Sequence, residues 1–343
     1  MDLASTAFSS SGNPPKRRVR IAVAIGLGAL CGIGSWFVTR LPGFGQQDFA
    51  VWWMAARAIL HGQNPYTTIV GISGRPAFYH PLPAAIATIP LASLPATIAG
   101  PVFIGASCAA LAYFATAKAW WPLIMFLSGS MLASLMQAQW APLLTAGILA
   151  PALTWIGVVK PNIGLGMLAY RPSIRTMATM GFIGLASIAV RPTWPREWLA
   201  SVSTSPFYFS PVQTTGGVVL LLALLKWRRP EARLLTVLAV LPSAPIPYEA
   251  LPLFVIPQTQ YEMMLLTILS DAMYSATMNL SAQHEMAAYY AAGRPAIVWL
   301  SFVPALLLVL RRPNEGDVPE LVERFSQRLP RWLRGRSQPV ASV

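Results

Sequence analysis

Carboxylates are the scarce chemical resource of this sequence: its 343 residues hold 12 Asp and Glu against 25 Lys and Arg. Asp2, Glu231, Glu315, Asp317, Glu320 and Glu323 fall in the tails or in short basic turns. Asp48, Glu197, Glu249, Glu262, Asp271 and Glu285 lie inside or beside apolar stretches. There an ionisable group is expensive, and a functional role is its default explanation. Asp48 stands at the head of a stretch in which Phe49, Trp52, Trp53, Ala56 and Leu60 recur at helical spacing, with Arg57 and His61 off that face. The pattern predicts a helix over Phe49–Leu60 lying on a membrane surface, stopped by Gly62 and Asn64-Pro65. Asp48 then has two roles open to it. It can cap that helix, or it can take the proton from an attacking hydroxyl.

The complementary chemistry is cationic. Lys160 interrupts a long uncharged stretch beside Pro161, either as a snorkelling lysine or as a functional cation. Arg75, Arg191 and Arg196 are cations in a region that the charge rule would deplete, and His80 reads as a plain loop histidine. Gln139 and Asn162 can satisfy the backbone of a broken helix or line a cavity. Trp52 and its neighbour Trp53 suit the headgroup region. Other chemistries find little purchase. The three histidines, His61, His80 and His284, show no ligand spacing for a tetrahedral zinc site. No Gly-rich loop ending in Gly-Lys-Ser/Thr is present for a nucleotide phosphate, and no strand-borne serine elbow. Cys31 and Cys108 sit in apolar runs and read as packing residues.

These residues need a scaffold, and composition defines it. Hydrophobic residues make up 55% of the chain, charged residues 11%, and the mean hydropathy is +0.53. No Asp, Glu, Lys or Arg occurs from Pro81 to Ala117, nor from Ala119 to Val159. A bilayer crossing needs about 20 apolar residues, so each run can hold one. The net charge of +13 gathers at the ends and in short turns: Lys16 to Arg20, Arg171 with Arg175, Arg228 to Arg233, Arg311 with Arg312, and Arg324 to Arg336. That is the positive-inside pattern of a membrane protein, and it speaks against nucleic acid as the partner. Residues 1–20 are expected to form a cytosolic basic N-terminus followed by a retained signal anchor. Residues 21–312 form the transmembrane domain, with 39–81 as its first outer loop. Residues 313–343 form a cytosolic tail resting on anionic headgroups. The expected architecture is an all-α bundle of about 8–10 crossings. Pro81–Pro95 is expected to be re-entrant. Pro142, Pro151 and Pro161 are expected to mark one broken crossing, and Leu251–Leu269 a further crossing.

Several blocks carry a resemblance. Gln47-Asp48-Phe49 is followed by Ala55-Ala56-Arg57-Ala58-Ile59-Leu60-His61-Gly62-Gln63-Asn64-Pro65-Tyr66, then by Phe78-Tyr79-His80-Pro81-Leu82-Pro83. Gln139-Trp140-Ala141-Pro142 and Lys160-Pro161-Asn162 come next in order. Together, over roughly residues 45–200, they resemble glycosyltransferase family 87 of the GT-C superfamily. The resemblance implies a GT-C-like fold in a bacterial inner membrane with its active site on the periplasmic or exterior face. It implies a polyprenyl-phosphate sugar as donor, a mannose-like hexose or a pentose as the transferred group, and a glycolipid or glycan as acceptor. Asp48 matches the family's catalytic base in an inverting reaction. On the same resemblance Lys160 and His80 would meet the donor phosphate, with Arg75, Arg191 and Arg196 as alternative phosphate or acceptor contacts. Tyr79, Tyr248, Glu249, Gln139, Asn162 and Trp52 would be sugar or acceptor contacts. No cofactor is implied beyond the donor lipid, and a divalent metal is left open. The chain departs from the pattern where Ala138 replaces a common Gly, where His80 replaces a common Pro, and in the late loop Pro245-Ile246-Pro247-Tyr248-Glu249. Two other readings compete: a secondary transporter or flippase with Lys160 and Asp271 at its midplane, and a non-catalytic membrane subunit.

Overall fold

Apolar runs in this chain fold as helices whose ends are set by proline and arginine. The computed structural model describes residues 15–41, 48–69, 78–203, 208–281 and 286–334. The regular structure within them is helical, apart from an isolated antiparallel bridge between Phe209 and Ser243. The α-helices run α1 Arg17–Val38, α2 Phe49–Leu60, α3 Pro65–Thr68, α4 Leu82–Thr88, α5 Ala96–Ala115, α6 Gly129–Gln137, α7 Ala141–Leu149, α8 Pro161–Tyr170, α9 Ile174–Val190, α10 Trp194–Ser203, α11 Pro230–Val240, α12 Gln260–Ser281, α13 Met286–Ile297 and α14 Val303–Leu310. Tighter 3₁₀ segments join them at Trp121–Leu127, Pro151–Val159, Gly217–Lys226 and Pro247–Val255. Two short helices, α15 Glu320–Ser326 and α16 Arg331–Arg334, follow.

Among the described residues three helices are long and apolar enough to cross a bilayer: α1, α5 and the continuous segment Gly293–Leu310. α1 and α5 pack antiparallel. Arg20 near the start of α1 donates to the carbonyl of Tyr113 and the hydroxyl of Thr116 at the far end of α5. At mid-length the two backbones touch, since a Cβ on Gly28 would stand 2.6 Å from the Gly105 carbonyl oxygen. Small residues are what allow such an approach between membrane helices.

Basic residues collect at one end of the bundle, where they satisfy carbonyls that terminating helices leave open. Arg233 donates to the carbonyls of Ala169 and Tyr170 at the end of α8, at 2.7 and 3.2 Å. Arg312 reaches the Ile256 carbonyl at 2.8 Å and Glu262 at 2.6 Å. Arg228, almost wholly buried, binds the Arg334 carbonyl and Glu323, so the C-terminal segment docks on this end of the protein. Its basic composition predicts a tail resting on lipid headgroups; through residue 334 its anchor is the Arg228 turn. The opposite end gathers Asp48, Gln137, Asn64, Glu197 and the Phe209–Ser243 bridge.

Several expectations change in detail. The helix over Phe49–Leu60 has the predicted bounds, but it is not a surface helix. Phe49, Val51, Trp52, Ala55, Ala56 and Ala58 are buried, and Trp52, Phe103 and Trp140 form an aromatic cluster with ring centroids 4.6 to 6.4 Å apart. The apolar face meets protein because α4 and α5 lie against it. Pro81–Pro95, by contrast, folds as α4 and the 3₁₀ turn Ile89–Leu91, too short to span at about 1.5 Å per residue, in keeping with a segment that does not cross. The stretch with three prolines does not form one broken crossing. α7, the 3₁₀ segment Pro151–Val159 and α8 each begin at or beside a proline, and the chain doubles back between them. Thr154 donates to the Gly147 carbonyl at 3.1 Å across the first turn. Gly157 and Gly164 press backbone to backbone across the second, which holds Lys160 at its apex. The proposed crossing Leu251–Leu269 is likewise split, at Ile256–Thr259, where Pro257 removes a donor.

Candidate functional site

The two turns that hold Asp48 and Lys160 open onto one cavity of about 330 Å³. Asp48 has helical backbone angles, φ −54° and ψ −28°, and its side chain makes no capping hydrogen bond. The capping role is therefore not the one it plays. Its Oδ2 instead accepts from Gln139 Nε2 at 2.5 Å and from the Tyr248 hydroxyl at 3.1 Å, and its backbone N–H donates to Gln137 Oε1 at 3.3 Å.

Gln139 reaches Asp48 because of how α6 ends. Gln139 N–H returns to the Ser134 carbonyl and Ala138 N–H to the Leu135 carbonyl, the paired bonds of a Schellman motif. That motif needs a left-handed residue, and Ala138 supplies it at φ 47°, ψ 50°, the single non-glycine with positive φ among the described residues. Glycine would adopt this conformation without the Cβ penalty that Ala138 carries.

Lys160, at the apex between the 3₁₀ segment and α8, pairs its ammonium with Glu249 Oε1. It also lies 5.2 Å from the centroid of the Tyr248 ring. Tyr248 and Glu249 open the 3₁₀ segment Pro247–Val255, so one short turn supplies both the phenol that contacts Asp48 and the carboxylate that contacts Lys160. Gln139 Oε1 and Glu249 Oε2 are buried and have no hydrogen-bond partner. Both are acceptors, and buried acceptors of this kind are normally paired, so each calls for a donor from a ligand or from water.

The third wall is the strip 78–80. Trp198 Nε1 donates to the Tyr79 carbonyl, Ser201 to the Phe78 carbonyl and Tyr66 to the His80 carbonyl, so side chains of α10 and α3 pin the strip in place. The His80 ring stands edge-on to Trp52 at 5.2 Å. Burial, with the nearby Lys160 charge, pulls its pKa down to about 3, so it is a neutral imidazole that can donate through one nitrogen and accept through the other.

Of the candidates read from sequence, Asp48, Tyr79, His80, Gln139, Lys160, Asn162, Tyr248 and Glu249 line this cavity together. Three do not. Arg191 is held by Glu197 through two contacts of 2.6 and 2.5 Å, and Glu197 also accepts from Asn64 and Thr193. Its charge is committed to fixing α3 and α10, which corrects its assignment to a phosphate. Trp52 is completely buried in the aromatic cluster and supports the site from below, so it offers no stacking face. Arg75 lies outside the described residues. Trp198, Tyr208 and the apolar wall of Val51, Leu165 and Ile246 escape a reading of the sequence, because isolated apolar and aromatic residues carry no spacing signal in so apolar a chain.

Electrostatically the cavity holds two carboxylates and one ammonium. Burial raises the Asp48 pKa. The hydrogen bonds from Gln139 and Tyr248 and the charge of Lys160 oppose that shift, and Glu249 adds to it. A carboxylate at a cavity wall with heightened proton affinity, held by two neutral donors on one oxygen, is suited to accept a proton from a bound hydroxyl. Among the described residues no three of His, Cys, Asp and Glu come together as a metal-ligand group. Comparison with known protein families, with curated proteins and with solved structures gives no match to this chain.

Proposed function

We propose that the chain is an integral-membrane glycosyltransferase of the GT-C type, moving a sugar from a polyprenyl-phosphate donor to an acceptor hydroxyl with inversion. The observation that carries this reading is the convergence of Asp48, Gln139, Lys160, Tyr248 and Glu249 from four distant parts of the chain on one cavity. In this reading Asp48 removes the acceptor's proton as its oxygen attacks the anomeric carbon. Gln139 and Tyr248 hold the carboxylate in one orientation and keep it from swinging back onto the end of α2. Lys160 meets the charge that develops on the departing phosphate, a role that preorganised cations fill in water-poor sites. The unpaired Gln139 Oε1 and Glu249 Oε2 receive sugar hydroxyls, and Asn162 and Tyr79 add polar contacts at the rim.

The positive-inside pattern orients the molecule. With the Arg228–Arg312 end in the cytosol, the cavity faces the outer side of a bacterial inner membrane, in a bundle of about ten crossings. A transporter would place its ions at mid-membrane on broken helices. Lys160 does sit between broken segments, but it shares its cavity with Asp48, which follows the first crossing, and that favours chemistry at a membrane face. The test is direct. Purified chain, given a polyprenyl-phosphate sugar and an acceptor extract, is expected to release free polyprenyl phosphate in an Asp48-dependent reaction. No release from the wild-type protein with any such donor overturns the proposal.

A further inference from the structure

One carboxylate stands near mid-height of the bundle on an outward face. It belongs to α12, which runs antiparallel to the crossing segment Gly293–Leu310. At one end Arg312, just past that segment, binds Glu262 at 2.6 Å. At the other, a Cβ on Gly293 would stand 3.8 Å from Thr277. Between these contacts Ser301, at the midpoint of Gly293–Leu310, donates to the Met273 sulfur at 3.2 Å. The 22 residues of α12 rise about 33 Å, enough to cross a hydrocarbon core of about 30 Å. Asp271, two residues before Met273, therefore lies close to the membrane midplane. It is exposed, and Met264, Leu265, Ile268, Ala272 and Ser275 are exposed on the same helix face.

The fold itself uses only part of this carboxylate. Asp271 accepts from the Gly129 backbone N–H at the start of α6, a bond that a neutral Asn could also accept. Among the described residues no Lys, Arg or His forms an ion pair with it. An ionisable group at this depth is costly, and such groups are almost always paired or turned to the bundle interior. The counterpart that fits an outward carboxylate is a cation. A second copy of this chain offers none at that depth. On the three crossing segments Arg and Lys occur only near the ends, at Arg17, Arg18, Arg20 and Arg294, and Lys160 is buried against Glu249. The face is also shaped to receive a helix. Ala272 and Ser275 are small enough to let another backbone come close, while Ile268 and Leu127 stand out beside them as a ridge.

We propose that this face of α12 docks a transmembrane helix of a different protein, one that carries an Arg or Lys near its middle. That cation pairs with Asp271, and the partner's backbone lies over Ala272 and Ser275. The proposal rests on the depth and exposure of Asp271 and is independent of the glycosyl-transfer reading.

The test uses the full chain in phosphatidylcholine vesicles, with energy transfer to synthetic Leu-Ala transmembrane peptides of about 23 residues. The peptides differ at one central position, which holds Arg, Leu or Glu. The Arg peptide is expected to associate with the wild type about 10–100-fold more tightly than the Leu peptide, the scale of one hydrogen bond to a charged group. Asp271→Asn, which keeps the Gly129 bond, should lose that preference with its melting temperature unchanged. Asp271→Arg should turn the preference toward the Glu peptide, and Asp271→Asn carries the test even where Asp271→Arg does not fold. Equal association of the Arg and Leu peptides with the wild type overturns the docking site, as does a preference for Arg that survives in Asp271→Asn. Self-association of the chain that depends on Asp271 would give the face to a second copy and overturn the partner proposed. An impermeant maleimide should react slowly with Asp271→Cys and quickly with Gln63→Cys. Equal rates would put Asp271 in water, where it needs no cation, and overturn the proposal.

Discussion

Replacing Asp48 with Asn separates chemistry from architecture at this site. The carboxylate oxygen that accepts from Gln139 and Tyr248 has a counterpart in the Asn carbonyl, so both donors stay paired and the amide NH₂ can face the cavity. No capping bond is lost, because Asp48 makes none. What disappears is the group that can take up a proton. Loss of a general base costs about 10²- to 10⁴-fold in rate, or about 3–5 kcal/mol in the barrier. Stability should move the other way. A carboxyl that holds its proton more tightly when folded than when unfolded makes the fold lose stability as pH rises from the ordinary carboxylate pKa to the raised one. The neutral amide of the variant carries no such cost at neutral pH, so Asp48→Asn is expected to melt at or above the wild-type temperature. Asp48→Ala is the contrasting case. It orphans the Gln139 amide and the Tyr248 hydroxyl, at about 1–3 kcal/mol each, and should be both inactive and less stable.

The assay is transfer from a polyprenyl-phosphate sugar, with melting curves recorded on the same preparations. In wild-type protein the acid limb of kcat/KM should fall above the ordinary carboxylate range, because the base works only when ionised and burial raises its pKa. Wild-type rates in Asp48→Asn would refute the role of base. A lower melting temperature in Asp48→Asn than in Asp48→Ala would refute the hydrogen-bond account.

Other outcomes follow from the same geometry. Lys160→Gln should lose about 100-fold in transfer while Lys160→Arg keeps some. Glu249→Gln should destabilise the fold by about 3–5 kcal/mol, since it leaves a buried ammonium without its partner; equal activity across the three proteins would reduce Lys160 to a structural ion pair. Ala138→Gly should keep both activity and stability within about 1 kcal/mol, as relief of left-handed strain offsets the lost methyl and the freer unfolded chain. Ala138→Val should lose both, because a β-branched residue is a severe outlier at that φ; wild-type behaviour of Ala138→Val would contradict the Schellman geometry. For orientation, an impermeant thiol reagent on intact cells should label Gln63→Cys and spare Arg171→Cys. Both positions are exposed and the native Cys31 and Cys108 are buried, so the reverse pattern would invert the molecule.

Much of the site could be read from residue type because the chain is so apolar. In a sequence with few charges, Asp48, Lys160 and Glu249 are conspicuous, and short polar blocks beside prolines mark where helices must break. The bounds of α2 were legible for the same reason, from its spacing and from Gly62. The environment of that helix was not. An apolar face at helical spacing looks the same whether it meets lipid or protein, and only the packing of α4 and α5 decides between them. Trp52 illustrates the cost. Its type suits a membrane interface, and its burial against Trp140 and Phe103 is a tertiary fact that periodicity does not carry.

Pairing is the other property that sequence withholds. Arg191 and Lys160 look alike on paper, each a cation next to a break in an apolar stretch. In the fold Arg191 is clamped by both oxygens of Glu197, six residues on, with Asn64 and Thr193 completing the carboxylate's shell. That charge is committed to architecture. Lys160 is also paired, but its partner Glu249 leaves one oxygen without a bond, and both face the cavity with Asp48. The two cases differ in what remains unsatisfied after folding. Arg294, inconspicuous in the sequence, shows the same principle from the other side. Its neighbours Gly293 and Pro295 stay inside α13, and only the fold reveals a buried donor beside a cavity. Glu249 at the first cavity and Arg294 at a second are alike in that each keeps an unbonded polar atom after folding, a property that residue type does not announce.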